Sequence, residues 1–432
     1  MDVKDLVKVT PSARQLAYQQ LEFYAFTHIT VNTFTDREWG DGTEPESVFN
    51  PTALDCEQWV RAIADAGMRG IIITCKHHDG FCLWQSKVTE HCMKNSPYKN
   101  GSGDIVREMS DACRKYGMKF GVYLSPWDRN ASCYGDSEKY NDFYVAQLRE
   151  LLTNYGEVFS VWFDGACGEG PNGKRQIYDW NRYYSVIREL QPNACIAICG
   201  PDVRWCGNEA GAARESEWSV VPARMTNTEK VAEASQKDEF DTAHLREVSA
   251  STADLGSREI VAGEPAMIWY PAEVDTSIRP GWFYHASEDD KVRSFDTLID
   301  IYYNTVGGNA MLLLNIPPDR RGLIHENDAA RLHEVGEYLR STFAHNLAET
   351  AKFTASCDDG VHKIDNVRRD ETLTLDYENY YKAPDGCENA DIEIDMGGVK
   401  NVSHVVLKEN IALSQRIEQF AIDVMENGEW KE

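Results

Sequence analysis

VFSVWFDGACGEG, residues 158–170, is an apolar run that ends in an acid followed by small residues. The apolar residues up to Phe163 predict a buried β-strand, and Asp164 and Gly165 follow where that strand should end. A carboxylate in the middle of a buried strand would be a core defect. At the end of a strand it can face solvent or a pocket, so the position of Asp164 depends on how neighbouring strands are arranged.

The same pattern repeats on both sides of this stretch. Apolar runs predict strands, and between them lie longer segments with apolar residues at helical spacing that end at Gly or Pro. Strands are predicted at 23–32, 70–80, 119–127, 158–165 and 194–202, and helices at 56–68, 104–118, 138–156 and 177–192. Strands that are apolar along their whole length and alternate with helices indicate a parallel sheet covered on both faces.

Beyond residue 202 the rhythm is less regular. Further strands are predicted at 264–272, 281–285 and 310–318, with helices at 296–306 and 326–343. Eight strands alternating with helices favour an α/β fold of the (β/α)8 TIM-barrel type over residues 1–345. A doubly wound open sheet is the alternative, but no G-x-G-x-x-G follows any of these strands.

Residues 346–432 have a different character. The segments 371–377, 390–396, 403–410 and 419–432 alternate apolar and polar residues, and Asn427-Gly428 is a hairpin signal. These features predict a C-terminal β-sandwich module. Too few strands are present to close two sheets, so we expect the module to be truncated.

Charge and hydropathy restrict the partners. The chain of 432 residues has 44 Lys and Arg against 70 Asp and Glu, a formal net charge of −26. Such an acidic surface repels phosphate backbones and anionic lipids, which disfavours nucleic acid and membranes and favours a neutral ligand. No apolar run approaches the roughly 20 residues of a membrane span, and the N-terminus lacks a signal-peptide core. We therefore expect a cytoplasmic protein, or a secreted one whose leader has been removed.

Polar and aromatic residues collect where the predicted strands end. In a β/α barrel the carboxyl ends of the strands surround the active site, so these side chains should meet in one pocket. Aromatic faces pack on the C–H surface of a sugar ring, while histidines and carboxylates bind its hydroxyls. The residues concerned are His28, Asn32, His77, His78, Asp79, Tyr123, Ser125, Trp127, Asp128, Trp162, Asp164, Arg204, Trp205, Glu209, Trp269 and Trp282.

Two carboxylates in this set could perform glycosidic chemistry. One would attack the anomeric carbon and the other would protonate the leaving oxygen. Asp164 is the better nucleophile candidate because it projects from a rigid strand next to small residues. Glu209 lies in a Gly-rich loop one strand later and is the candidate proton donor, with Glu215 and Glu217 as rivals.

Other interpretations remain open on the residues alone. His77-His78-Asp79 is compatible with a metal site, and a metal-dependent hydrolase could use His28, His77 and Asp164. Adjacent strand residues point to opposite faces, however, so both histidines reach one site only if the strand breaks there. A carbohydrate-binding protein without turnover is a third class. Asp128 and Arg129 could form an ion pair or contact a second sugar.

Several segments together resemble glycoside hydrolase family 29, the α-L-fucosidases. They are FYAFTHITVNTFTDREWGDG, KHHDGFCLW, GVYLSPWDRN, VWFDGA, IRPGWFYH and LLLNIPPDRRGLI, which span the predicted barrel. The segments TFTDREWGDG and GNEAG resemble the subfamily that acts on α-1,3/1,4-linked fucose in branched, Lewis-type glycans.

The resemblance implies a retaining exo-acting hydrolase of a fucosylated oligosaccharide or glycoconjugate that uses no cofactor and no catalytic metal. Asp164 would be the nucleophile and Glu209 the acid/base. The residues expected to surround the fucose are His28, Glu38, Trp39, His77, His78, Tyr123, Trp162 and Trp282.

Overall fold

A closed eight-stranded parallel sheet forms the centre of the protein. The computed structural model describes residues 3–215, 217–226, 254–368, 377–426 and 428–432. The barrel strands follow the order β5-β4-β3-β2-β1-β10-β9-β6, and a parallel bridge between Ala197 and Val203 joins the last strand to the first. The strands are β1 Phe23–Thr27, β2 Gly70–Lys76, β3 Lys119–Leu124, β4 Ser160–Phe163, β5 Cys195–Ile198, β6 Arg204–Trp205, β9 Ala272–Ser277 and β10 Met311–Asn315.

Helices pack around the barrel, and most of those that the structure describes begin at a side-chain cap. Asp55 accepts hydrogen bonds from the backbone N–H groups of Glu57 and Gln58, and Asp104, Asp179 and Ser294 cap their helices in the same way. The helices are α1 Ala13–Gln19, α2 Val31–Thr35, α3 Cys56–Asp65, α4 Ile105–Tyr116, α5 Ser137–Asn154, α6 Trp180–Leu190, α7 Arg258–Val261, α8 Phe295–Thr305 and α9 Glu326–Thr342.

The first five predicted strands are confirmed, and their burial explains their composition. Every residue of β1, β2, β4 and β5 is buried, because the barrel interior covers one face and the helices cover the other. A continuous apolar core therefore runs from the inside of the barrel to the inner sides of the helices.

The prediction for the later strands is wrong in detail. The run 264–272 is split at Pro271: Met267–Trp269 (β8) pairs antiparallel with Val220–Pro222 (β7), and the barrel strand β9 begins at Ala272. The run 281–285 is a loop. The barrel instead gains β6, only two residues long. The count of eight strands is right, but two of the eight lie elsewhere.

The C-terminal region contains small antiparallel sheets. Lys352–Ala355 (β11) pairs with Ile392–Asp395 (β12), and Val424–Glu426 (β13) pairs with Glu429–Lys431 (β14). Strands are thus found in two of the four predicted segments, 390–396 and 419–432. The segment 403–410 is irregular, and residues 371–376 and Asn427 lie outside the described residues.

In the described ranges, no helix is both long enough and apolar enough to cross a bilayer.

Candidate active site

Asp164 lies directly after β4, at the carboxyl end of the barrel. Its Oδ2 accepts a hydrogen bond of 2.9 Å from the Tyr123 hydroxyl, and its Oδ1 accepts one of 2.7 Å from the Ala166 N–H. These donors fix the carboxylate in one orientation and stabilise its negative charge. The side chain is 25% exposed, so a ligand entering the barrel mouth can reach it.

His77 and His78 stand side by side because strand β2 ends before them. The pairing of β2 with β3 shifts register between Thr74 and Lys76, and the two histidines follow in a turn. Their ring centroids are 4.0 Å apart. The break in the strand removes the alternation that would otherwise direct the rings to opposite faces. Both histidines therefore belong to the same site.

The hydrogen bonds of His78 define its protonation. Ser125 Oγ donates to the Trp127 carbonyl oxygen at 2.7 Å, so it accepts from His78 Nδ1 at 2.7 Å. Nδ1 therefore carries a proton, and Nε2 faces the Asp164 carboxylate at 3.8 Å. Burial lowers the pKa of His78, and the charge of Asp164 opposes that shift. In the neutral ring, Nε2 is an acceptor at the mouth of the barrel.

His28, at the end of β1, is oriented by the same logic. The Asn315 amide nitrogen donates to Ser277 Oγ and to the Trp282 carbonyl oxygen, so the Asn315 oxygen accepts from His28 Nδ1 at 2.8 Å. Burial lowers the pKa of His28 to about 4. His28 is thus a neutral ring at physiological pH with Nε2 free of its proton. The pKa of His77 is also well below its ordinary value, because the ring is buried and lies near the other two histidines.

The buried neutral state of His28 predicts a pH-dependent stability. Its pKa is about 4 in the folded protein and 6.5 in an unfolded chain. The unfolded state therefore binds the extra proton first, so stability is full above pH ~6.5 and falls as the pH drops toward ~4. The shift corresponds to roughly 3 kcal/mol over that window. We expect the unfolding free energy of His28→Asn, measured by urea titration, to fall less steeply across it than that of the wild type.

His28→Asn must be compared with the wild type, because Asp79 changes the pH dependence of the unfolding free energy in the opposite direction. Burial raises the pKa of Asp79 to about 6, which favours the folded state as the pH falls. The matched control is His345→Asn, since His345 is exposed. Parallel pH profiles for wild type and His28→Asn would contradict the assignment of a neutral buried His28.

Aromatic rings form the floor of the site. Tyr123 stacks on Trp162 with ring centroids 5.4 Å apart, and Phe26 contacts both edge-on. His28 lies 5.8 Å from Tyr123 and 5.4 Å from Trp282. The floor therefore runs without interruption from the ring that holds Asp164 to the indole of Trp282.

Glu209 lies at the far side of this floor, in the loop after β6. The indole N–H of Trp282 donates to Glu209 Oε2 at 3.1 Å, and Thr276 Oγ1 donates to the Glu209 carbonyl oxygen at 2.8 Å. The Asn208 side chain folds the loop back by binding the backbone of Ala210 and Ala212. Glu209 is exposed at the mouth of the barrel while its backbone is tied to β9.

The two rivals of Glu209 lie elsewhere. Glu217 is buried and forms ion pairs with Arg204 and Arg214, each at 2.7 Å. Both of its oxygens are thereby committed to a structural network. Glu215 is an exposed loop residue. Of the three acids, Glu209 is the one that the structure links to the aromatic floor.

Family comparison identifies the kind of protein that carries this site. The model of the α-L-fucosidase family matches residues 16–342, which include the ten candidate residues. The chain belongs to the α-L-fucosidase family.

Relatives of this family cover most of the chain. Alpha-L-fucosidase 1 of Arabidopsis thaliana is 39% identical over 98% of this chain and 78% of its own length. A solved glycoside hydrolase 29 family member from an unknown rumen bacterium is 44% identical, with a TM-score of 0.69, covering 81% of this chain and 60% of that one. A Ruminococcus gnavus GH29 fucosidase in complex with fucose is 33% identical, with a TM-score of 0.75, covering 90% and 79%. Membership in the fucosidase family implies a fucosylated glycan as substrate.

Glu38 and Trp39 occupy different places in the candidate site. Glu38 accepts hydrogen bonds from the backbone N–H groups of Trp282 and Phe283 at 2.8 and 3.1 Å, and its Oε1 lies 2.7 Å from His285 Nε2. It thereby holds the loop that carries Trp282. Trp39 is 58% exposed and contacts His78 and Trp127 edge-on, so it forms a lip of the pocket.

Asp128 takes neither of the two roles considered for it. It forms a buried ion pair of 2.9 Å with Lys76, whose Nζ also donates to Gln147. Arg129 instead donates to the Gly40 carbonyl oxygen and lies over the Trp127 ring. A lysine inside a strand of apolar residues needs a buried acceptor, which explains why Asp128 points inward.

The metal hypothesis receives no support from the geometry. Across the part of the chain that the structure describes, no three His, Cys, Asp or Glu side chains are grouped as metal ligands would be. The rings of His28 and His77 contact Tyr123 and Phe283, and the ring of His77 also contacts those of His28 and His78.

Two carboxylates of the fucosidase barrel, Glu273 and Asp275 on β9, are not predicted by the sequence pattern. Glu273 is fully buried and accepts hydrogen bonds from Trp162 Nε1 at 2.6 Å, from Tyr18 at 2.8 Å and from Tyr24. Burial raises its pKa. The polar run AEVDTS does not have the composition of a barrel strand, so no sequence signal placed these acids inside the barrel.

Proposed function

We propose that the protein is a retaining exo-α-L-fucosidase that releases α-1,3/1,4-linked fucose from branched, Lewis-type glycans, with Asp164 as nucleophile and Glu209 as acid/base. The observation that carries the proposal is the Asp164 carboxylate, fixed by Tyr123 and Ala166 at the open end of the barrel and faced by His78. The fucose complex of the Ruminococcus gnavus relative supports the choice of sugar.

The histidines are suited to bind the sugar hydroxyls. His28 and His78 each donate Nδ1–H to an oxygen, that of Asn315 and that of Ser125, which leaves Nε2 of each neutral ring as an acceptor. A fucose hydroxyl would donate to each. The face of Trp282 and the rings of Tyr123 and Trp162 offer apolar surface to the C–H groups and the methyl of the sugar.

The chemistry would proceed in two balanced steps. First, an oxygen of Asp164 forms a bond to the anomeric carbon while the glycosidic C–O bond breaks, and the Glu209 proton moves to the leaving oxygen. Second, water attacks the same carbon, its proton moves to Glu209, and the bond to Asp164 breaks. Two inversions give net retention, and each step passes through an oxocarbenium-like transition state stabilised by the carboxylate.

The exo mode of action is part of the proposal. Phe26, Tyr123 and Trp162 pack against one another, so a terminal fucose at Asp164 would rest on an aromatic floor. The linkage preference is supported by the likeness of TFTDREWGDG and GNEAG to the branched-glycan subfamily; these segments carry Glu38, Trp39 and Glu209.

The test is the release of fucose from defined glycans. We expect free fucose from α-1,3- and α-1,4-fucosylated trisaccharides, and much slower release from α-1,2- and α-1,6-linked controls. Proton NMR within the first minutes should show the α-anomer before mutarotation. Initial appearance of the β-anomer would exclude retention, and equal rates on all four linkages would exclude the proposed specificity.

A further inference from the structure

A carboxyl group lies inside the barrel, where apolar side chains would be expected. Glu273, on β9, is fully buried, and each of its two oxygens accepts a hydrogen bond. The interior of a β/α barrel is normally packed with branched apolar residues, and burying a carboxyl group has a desolvation cost that apolar packing does not have. An acid at this position therefore calls for a role beyond filling the barrel.

The two oxygens of Glu273 bind different parts of the barrel. Oε2 accepts from the hydroxyl groups of Tyr18 and Tyr24, which lie just before β1 and at its start, toward the amino end of the barrel. Oε1 accepts a hydrogen bond of 2.6 Å from Trp162 Nε1 on β4. Two strands, β6 and β5, separate β9 from β4 around the closed sheet, so this last bond crosses the barrel interior.

Trp162 is in turn the ring on which Tyr123 lies. The indole has a single polar group, its N–H, and Glu273 binds it. Tyr123 stacks on the indole with ring centroids 5.4 Å apart and 29° between the ring planes. The Tyr123 hydroxyl then donates to Asp164 Oδ2 at 2.9 Å. An unbroken series of contacts thus leads from the buried acid to the carboxylate at the mouth of the barrel.

We infer that Glu273 is a positioning residue for the nucleophile: it fixes the Trp162 indole and, through the stacked Tyr123 ring, the orientation of the Asp164 carboxylate. The inference rests on the proposed role of Asp164. Attack on the anomeric carbon depends on the placement of the attacking oxygen, and an error of about 1 Å can lower the rate about 10²-fold. Because its N–H is bound by Glu273, Trp162 also offers the sugar an apolar surface.

The test compares kcat/KM of Glu273→Met and Glu273→Gln with that of the wild type. Met has a similar length but offers no oxygen, whereas Gln keeps one for the Trp162 N–H and can direct its NH₂ group to the tyrosine hydroxyls. We expect an approximately tenfold loss for Glu273→Met and a value within about threefold of the wild type for Glu273→Gln. The loss should be equal for an α-1,4-fucosylated trisaccharide and an activated aryl fucoside, since the nucleophile attacks both.

Double variants separate positioning from mere support of the barrel. In a Trp162→Phe background, which lacks the indole N–H, Glu273→Met should lower kcat/KM by no more than about a further twofold. Tyr18→Phe is the matched control, because it removes a different donor to the same carboxyl group. Alone it should leave kcat/KM unchanged, and in its background Glu273→Met should keep the tenfold effect.

A further design covers the case in which Glu273→Met is not recovered folded. That substitution leaves the hydroxyl groups of Tyr18 and Tyr24 buried without their acceptor, which is destabilising. Combining it with Tyr18→Phe and Tyr24→Phe removes these hydroxyls, so that only the Trp162 N–H loses its partner. The triple variant, compared with the double tyrosine variant, should show the same tenfold difference.

The outcomes separate this inference from the proposed function. Unchanged kcat/KM in Glu273→Met, or a full tenfold loss in the Trp162→Phe background, would overturn the role of Glu273 and leave the assignment of Asp164 intact. An equal loss in Glu273→Gln and Glu273→Met, or a loss confined to the natural glycan, would overturn it too. Near-normal turnover in Asp164→Asn would remove the nucleophile itself, whatever the Glu273 variants show.

Discussion

Replacing Asp164 by Asn is expected to lower turnover of a fucosylated trisaccharide by about four orders of magnitude or more, because no glycosyl-enzyme bond can form. The fold should persist. Asn keeps one oxygen for the Ala166 N–H or the Tyr123 hydroxyl, and Asp164 is not part of the buried core. The measurements are kcat by fucose release and the melting temperature.

Glu169→Gln is the control for this result. Glu169 is an exposed acid in the same loop after β4, so its replacement should leave turnover unchanged. Asp164→Asn with near-normal kcat would disprove the nucleophile assignment. A large loss of melting temperature would instead show that Asp164 supports the strand end.

Replacing Glu209 by Gln should have the second largest effect, and the size should depend on the leaving group. We expect kcat/KM for a natural glycan to fall about 10²–10⁴-fold, since a sugar alkoxide needs protonation as it leaves. For an aryl fucoside with an activated phenolate the loss in kcat/KM should be much smaller. Gln retains an oxygen for the Trp282 indole, so the loop should stay in place.

The comparison for Glu209 is Glu215→Gln, which changes an exposed acid of the same loop. It should behave as wild type with both substrates. Equal slowing of the natural glycan and the aryl fucoside by Glu209→Gln would indicate that Glu209 acts by holding Trp282 rather than by transferring a proton.

Much of the barrel could be predicted because burial on both faces leaves a continuous apolar run. Strands β1 to β5 carry that signature, and the helices after them show apolar residues at helical spacing. The caps Asp55 and Asp104 lie within one residue of the predicted helix starts at 56 and 104.

Strands β6 and β9 could not be predicted, because neither has the continuous apolar run that marks a barrel strand. Strand β9 reads AEVDTS, since its inward face carries Glu273 and Asp275, each bound by an indole N–H from another strand. Strand β6 has only two residues, too few for any periodicity. The apolar run at 281–285 is a loop because Glu38 binds its backbone N–H groups.

The candidate site followed from one topological rule, that strand ends meet at one rim. The structure brings together Asp164, Tyr123, Trp162 and the three histidines, and links Glu209 to them through Trp282. Asn315 sets the tautomer of His28 and is distant from it in the sequence. Ser125 sets the tautomer of His78 and follows a different strand, β3. Only three-dimensional contacts reveal such pairs.

The most direct measurement of the central claim is the trapping of the covalent intermediate. A 2-deoxy-2-fluoro-fucosyl fluoride slows both steps but slows hydrolysis of the intermediate more, so the fucosyl-enzyme should accumulate. Peptide mass spectrometry is expected to find one fluorofucosyl group on Asp164, in the peptide that contains VWFDG. A label on any other residue, or inactivation without a covalent adduct, would contradict the account.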